Sequence, residues 1–204
     1  MKPCIDWEEA YEAAGLWPVA VEIPSGDVFY VFWYQNRNDF SRVLVSGGRV
    51  AMLTDLEAVS RFLAGVETFG EGDPGWDAAR RLARLVGSEV PEETTIPRRL
   101  LGQAIEWVRT IPAFPTAEQA EELLNCLDFL SEWHRTLREL GLVGRWPPAL
   151  DGAADVLAEA VIWGTMSPLA AFERVYFLGL WPAMERVVSD VMKPVMVVRY
   201  PSAA

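Results

Sequence analysis

A chain of 204 residues, 51% hydrophobic and 23% charged, is long enough to bury a core and too apolar to stay disordered along most of its length. Its net charge of −11 repels nucleic acid and anionic membranes and attracts basic proteins. No apolar run reaches the roughly 20 residues of a membrane-spanning helix, and two cysteines, Cys4 and Cys126, are too few for a disulfide framework.

Met1-Lys2-Pro3 runs straight into a stretch with Asp6, Glu8 and Glu9, where a secretory signal would carry an apolar segment. A cytoplasmic location is therefore expected. The bases are 16 Arg and 2 Lys, a bias that fits a GC-rich, bacterial source.

Asp6 to Ala14 reads as a short helix stopped by Gly15. Val19 to Ile23 reads as a strand, with a turn at Pro24-Ser25-Gly26-Asp27. Val28 to Tyr34 is wholly aromatic or β-branched, a strong strand signal. Alternation sets Phe29, Val31 and Trp33 against Tyr30, Phe32 and Tyr34, so both faces should be covered. Ser41 to Ser46 and Arg49 to Leu53 are two more strands, and Gly47-Gly48 between them suits a two-residue hairpin.

Thr54 and Glu57 have capping-box spacing and predict a helix with Leu56, Val59, Leu63 and Val66 on its apolar stripe. Phe69 to Gly75 reads as loop. Helices are then expected at Trp76–Val86, from Pro97 to Thr110, and from a Thr116 cap to Leu140. The last of these carries Ala120, Leu123, Leu127, Leu130, His134 and Leu137 on one narrow stripe. Further helices are predicted at Ala153–Trp163, Pro168–Leu178 and Ala183–Met192. Val195 to Tyr200 closes the chain as a strand.

That last strand needs hydrogen-bonding partners, and the N-terminal sheet can supply them. The expected class is α+β: a small antiparallel N-terminal sheet, a meander to which the C-terminal strand returns, with a largely helical C-terminal two-thirds. One domain over 1–204 is expected. The rival division is a β-rich unit over 1–70 and a helical unit over 71–204.

Counting removes most catalytic sites. A single histidine, His134, excludes multi-histidine metal centres. The phosphate-loop, dinucleotide and nucleophile-elbow motifs are absent. His134 and Cys126 lie eight residues apart on one predicted helix, about 12 Å along its axis, too far for a thiolate–imidazole pair. No catalytic residue, metal or cofactor is assigned. Arg80, Arg81, Arg84, Arg98 and Arg99 read as surface ion-pair partners.

Asp151, Asp155 and Glu159 recur every four residues and share a helical face. Such a row meets a basic partner or a divalent cation; it is also what a solvated helix start looks like. Trp17, Trp146 and Trp181 each precede a proline, at edges where aromatics serve as contact anchors. Trp33, Trp107, Trp133 and Trp163 fall inside predicted elements and are expected in the core. These six candidates, Asp151, Asp155, Glu159, Trp17, Trp146 and Trp181, point to a protein-binding protein. The reading is an immunity or inhibitor type that neutralises a basic partner such as a toxin nuclease, with no nucleic acid or membrane as ligand. The alternatives are a carboxylate-based, metal-assisted enzyme and a self-associating adaptor, a homodimer through the helical stripe.

Overall fold

The computed structural model describes residues 6–35, 41–46, 49–66, 74–113 and 115–198. The chain forms two compact units. Unit 1 is built from 1–21, 28–98 and 194–204, and unit 2 from 22–27 and 99–193.

Unit 1 opens with α1 (Trp7–Ala14), whose cap is Asp6; its carboxylate accepts from Glu9 N at 3.0 Å. Gly15 ends α1 at φ 68°, in the left-handed region. The strands are β1 (Leu16–Glu22), β2 (Val28–Gln35), β3 (Ser41–Val43), β4 (Val45–Ser46) and β5 (Arg49–Leu53). Then come α2 (Leu56–Ala64), α3 (Pro74–Val86), a single 3-10 turn at Glu93–Thr95, and β6 (Arg98–Leu100). After the helices of unit 2 comes β7 (Val195–Val198).

The main strand path is β4-β5-β2-β1-β6, with β3 paired to β2 and β7 paired to β5. β7 returns to the N-terminal sheet as expected. It lies parallel to β5, Val50 opposite Val195 through Leu53 opposite Val198, while β2–β3, β2–β5 and β4–β5 are antiparallel. The sheet is therefore mixed and not purely antiparallel. The expected strand from Ser41 to Ser46 is two short strands, the first paired with β2 and the second with β5. The Gly47-Gly48 link lies outside the described residues, as do 69–73 of the loop expected over Phe69–Gly75, while Pro74 and Gly75 open α3 instead of ending that loop.

Tyr30, Phe32 and Tyr34 face the unit-1 core, where α1, α2 and α3 cover them with Trp7, Tyr11, Phe62, Trp76 and Leu82. Phe32 stacks on Phe62 at 5.3 Å, and Trp76 anchors the layer by donating from its indole to Val45 O at 3.1 Å. On the other face Val31 is fully buried and Phe29 and Trp33 are half-buried. The cap of α2 is Asp55, which accepts from Ala58 N at 2.7 Å; the expected Thr54 instead donates its hydroxyl to Asp55.

In unit 2, α4 (Leu101–Arg109) begins after β6, so Pro97 leads into a strand and not into a helix. α5 (Ala117–Glu139) starts on a capping box in which Thr116 and Gln119 satisfy each other's backbone N–H. It is the hub of this unit: α4, α6 (Pro148–Val161), α7 (Pro168–Phe177) and α8 (Trp181–Met192) all pack on it. Its predicted stripe is buried from Ala120 to Leu137, along with Leu124, Cys126, Phe129 and Trp133 from neighbouring faces. The stripe is thus occupied by helices of the same chain. α6 begins at Pro148, five residues before expected, with Pro147 as its cap. Among the described residues no helix is long and apolar enough to cross a membrane.

Candidate functional site

Unit 2 is the more acidic of the two: 15 Asp and Glu against 8 Arg and Lys, where the whole chain has 29 and 18. It also carries a concentration of exposed apolar side chains. Ile162, Trp163, Leu169, Tyr176, Phe177 and Leu178 are half of the large exposed hydrophobic residues among those described, and they fall within 17 residues of chain.

Local chemistry explains their exposure. The end of α6 is closed by Ile162 N and Trp163 N, both donating to Ala158 O, and by Thr165, whose N–H and hydroxyl donate to Glu159 O. Gly164 then turns the chain at φ 61°. Ser167 caps α7 by accepting from Ala170 N at 3.2 Å, with Pro168 in the first turn. α7 buries Ala171, Phe172 and Val175. At helical spacing that leaves Leu169, Glu173, Tyr176 and Phe177 on its other side. Phe177 is 80% exposed, Ile162 65% and Trp163 63%. Tyr176 and Phe177 meet edge to face at 5.7 Å, and Arg174 reaches Glu159 across the helix pair at 3.5 Å.

The acid row predicted from sequence runs along α6 toward this cluster, since Ile162 and Trp163 follow Glu159 by three and four residues. Asp151 accepts from the Trp146 indole at 2.8 Å, and Asp155 is exposed. Glu159 is half-buried beside Arg174. Asp151 lies in the first turn of α6. Among the described residues no three His, Cys, Asp or Glu side chains are placed to hold a metal.

Trp146 is half-buried and meets buried His134 edge-on at 5.3 Å. Burial lowers the His134 pKa; nearby Asp190 opposes that shift and Arg138 adds to it. Trp181 opens α8 and is half-buried. Trp17 belongs to unit 1 and packs against its core. Trp133 is fully buried, whereas Trp163, expected in the core, stands out in solvent. Sequence spacing reached the acid row but missed the aromatic end of it. The signal available was Ile162-Trp163-Gly164, two large apolar residues placed where a helix stops.

Cys126 is buried, and desolvation with the neighbouring Glu122 carboxylate pushes its thiol up, away from reactivity. Two of the five arginines singled out in the sequence form the expected ion pairs, Arg80 with Asp77 at 2.6 Å and Arg98 with Glu93 at 2.8 Å. Arg81 instead donates to Ala14 O at 3.0 Å.

No family model and no curated protein matches the chain. Among solved structures it is similar to the crystal structure of the SatS C-terminal domain in complex with bromine. Identity is 17%, coverage is 92% of this chain and 96% of that one, and the TM-score is 0.52. That likeness bears on the fold alone.

Proposed function

We propose that this chain is a cytoplasmic protein-binding protein of the immunity or inhibitor type, and that it meets a basic partner through the α6–α7 surface. The supporting observation is the placement of Ile162, Trp163, Tyr176 and Phe177 in solvent on the more acidic unit, at the end of the Asp151, Asp155 and Glu159 row. Large aromatics bury much area for little loss of rotamer freedom, which suits them to anchor a contact. The surrounding negative charge accelerates encounter with a positive partner and disfavours acidic competitors. Occupation of the α5 stripe by the chain's own helices leaves α6–α7 as the better-placed surface in this unit.

The test is capture by the immobilised full chain from a lysate of its source organism, in low and in high salt. A basic protein held in low salt, weakened in high salt, and lost by the Trp163→Ala/Phe177→Ala double variant is the expected result. A partner that is acidic, or one retained equally by the double variant, overturns the reading. Both residues are exposed, so the variant should fold; surface substitutions of this kind stay within about 0.5 kcal/mol.

A further inference from the structure

Unit 1 holds a second feature that the partner surface does not use. A cavity of about 320 Å³ opens where α1 ends, lined by Glu12, Gly15, Trp17, Tyr34, Gln35 and Arg81 among others. Its size falls near the lower end of small-ligand sites, about 300–1,000 Å³.

The backbone makes this opening. Gly15 turns α1 into β1 at φ 68°, and its carbonyl accepts from Gln35 N at 3.0 Å. A Cβ at Gly15 would sit 2.6 Å from Gln35 O, so only glycine lets the two segments approach so closely. Arg81, on α3, is fixed by one N–H on Ala14 O, which satisfies the last turn of α1. A guanidinium has five N–H donors. Among the described residues no carboxylate pairs with Arg81, and no cation pairs with Glu12.

Six other arginines, among them Arg61, Arg80 and Arg98, do meet acids. Here a cation and an anion line one cavity without neutralising each other. Two aromatic rings line it as well, half-buried Trp17 and buried Tyr34. The Tyr34 hydroxyl and the Trp17 indole N–H make no hydrogen bond to a described residue. A bare anion is discouraged by Glu12 and a bare cation by Arg81. A molecule bearing both charges and a planar apolar group satisfies every wall at once.

We infer that this cavity binds a small zwitterion with a planar side group, of the class of an aromatic α-amino acid. Its carboxylate meets the guanidinium of Arg81, its ammonium meets Glu12, and its ring lies against Trp17 and Tyr34. Arginine suits the first role through paired donors in a fixed plane.

The test uses the full chain and four probes: L-phenylalanine, 3-phenylpropionate, 2-phenylethylamine and glycine. Binding is followed by calorimetry and by amide shifts of Gly15 and Gln35. Phenylalanine is expected to bind, with each of the other probes at least tenfold weaker. Glu12→Gln, at an exposed position, should bring phenylalanine down to the affinity of phenylpropionate. Arg81→Gln should bring it down to that of phenylethylamine. Because Arg81 also supports α1, Glu12→Gln keeps the test decisive if Arg81→Gln fails to fold. No binding of phenylalanine at millimolar concentration overturns the proposal. So does equal binding of all four probes, or binding indifferent to Glu12→Gln.

Discussion

His134 shows how one buried residue ties the helices of unit 2 to pH. The residue is 2% exposed, it packs against Trp146, and its charged form is disfavoured by burial. In the unfolded chain an imidazole titrates near pH 6.5 or so. The folded value lies lower, so the stability held by the neutral ring is complete above the unfolded value. It is lost as pH falls through the folded one. Asp190 and Arg138 pull in opposite directions and leave desolvation in charge. The expected outcome is that melting temperature falls on moving from neutral pH to about pH 5, and falls less in His134→Gln. Identical slopes in the two proteins would mean that the folded state accommodates the imidazolium. The sequence placed His134 on an apolar stripe and so announced its burial. It could not announce Trp146, which comes from a loop twelve residues later.

At the scale of elements, periodicity read well and boundaries read poorly, for identifiable reasons. The cap of α2 is one example. Thr54 and Asp55 are adjacent, both cap helices, and Glu57 sits at box spacing from the first of them. Extended backbone at Asp55, φ −161° and ψ 171°, puts its carboxylate over Ala58 N and makes it the cap. Asp55→Ala should therefore cost about 1 kcal/mol of unit-1 stability, the usual price of a lost N-cap. Thr54→Ala removes only an exposed hydroxyl donor to that carboxylate and should stay within about 0.5 kcal/mol. Chemical denaturation of the two variants checks this, and the reverse ranking would restore Thr54 to the role its spacing suggested. Pro97 misled in the same way: it suits a helix start, yet its carbonyl accepts from Ala20 N and draws the chain toward β1. Trp163 was missed because a helical repeat tells which residues share a face, not which faces remain uncovered.

At the scale of the whole chain, unit 1 takes up a strand, β7, that follows all the helices of unit 2 in sequence. β7 pairs with β5 along Val50–Leu53, and Pro194 O accepts from Val50 N at 3.0 Å. The need for partners made this return legible in the sequence. Its direction was not, because Val195-Met196-Val197-Val198 has no alternation to fix a face and carries no turn that fixes an orientation. All of α4 to α8 lies between the paired segments in the chain. Closing so long a connection while it is unfolded costs more entropy than closing it once those helices have condensed. Unit 2 should accordingly gain protection before β7 does. Chain termination after Lys193 tests the dependence directly. It leaves the N–H and C=O groups of Val50–Leu53 that β7 would pair open to another chain. The expected result is a protein whose unit-2 amides remain dispersed in an NMR spectrum while those of β5 broaden, with association that grows with concentration. If β5 stays sharp and the truncated chain stays monomeric, the sheet closes without its last strand, and the parallel pairing contributes little to holding unit 1 together.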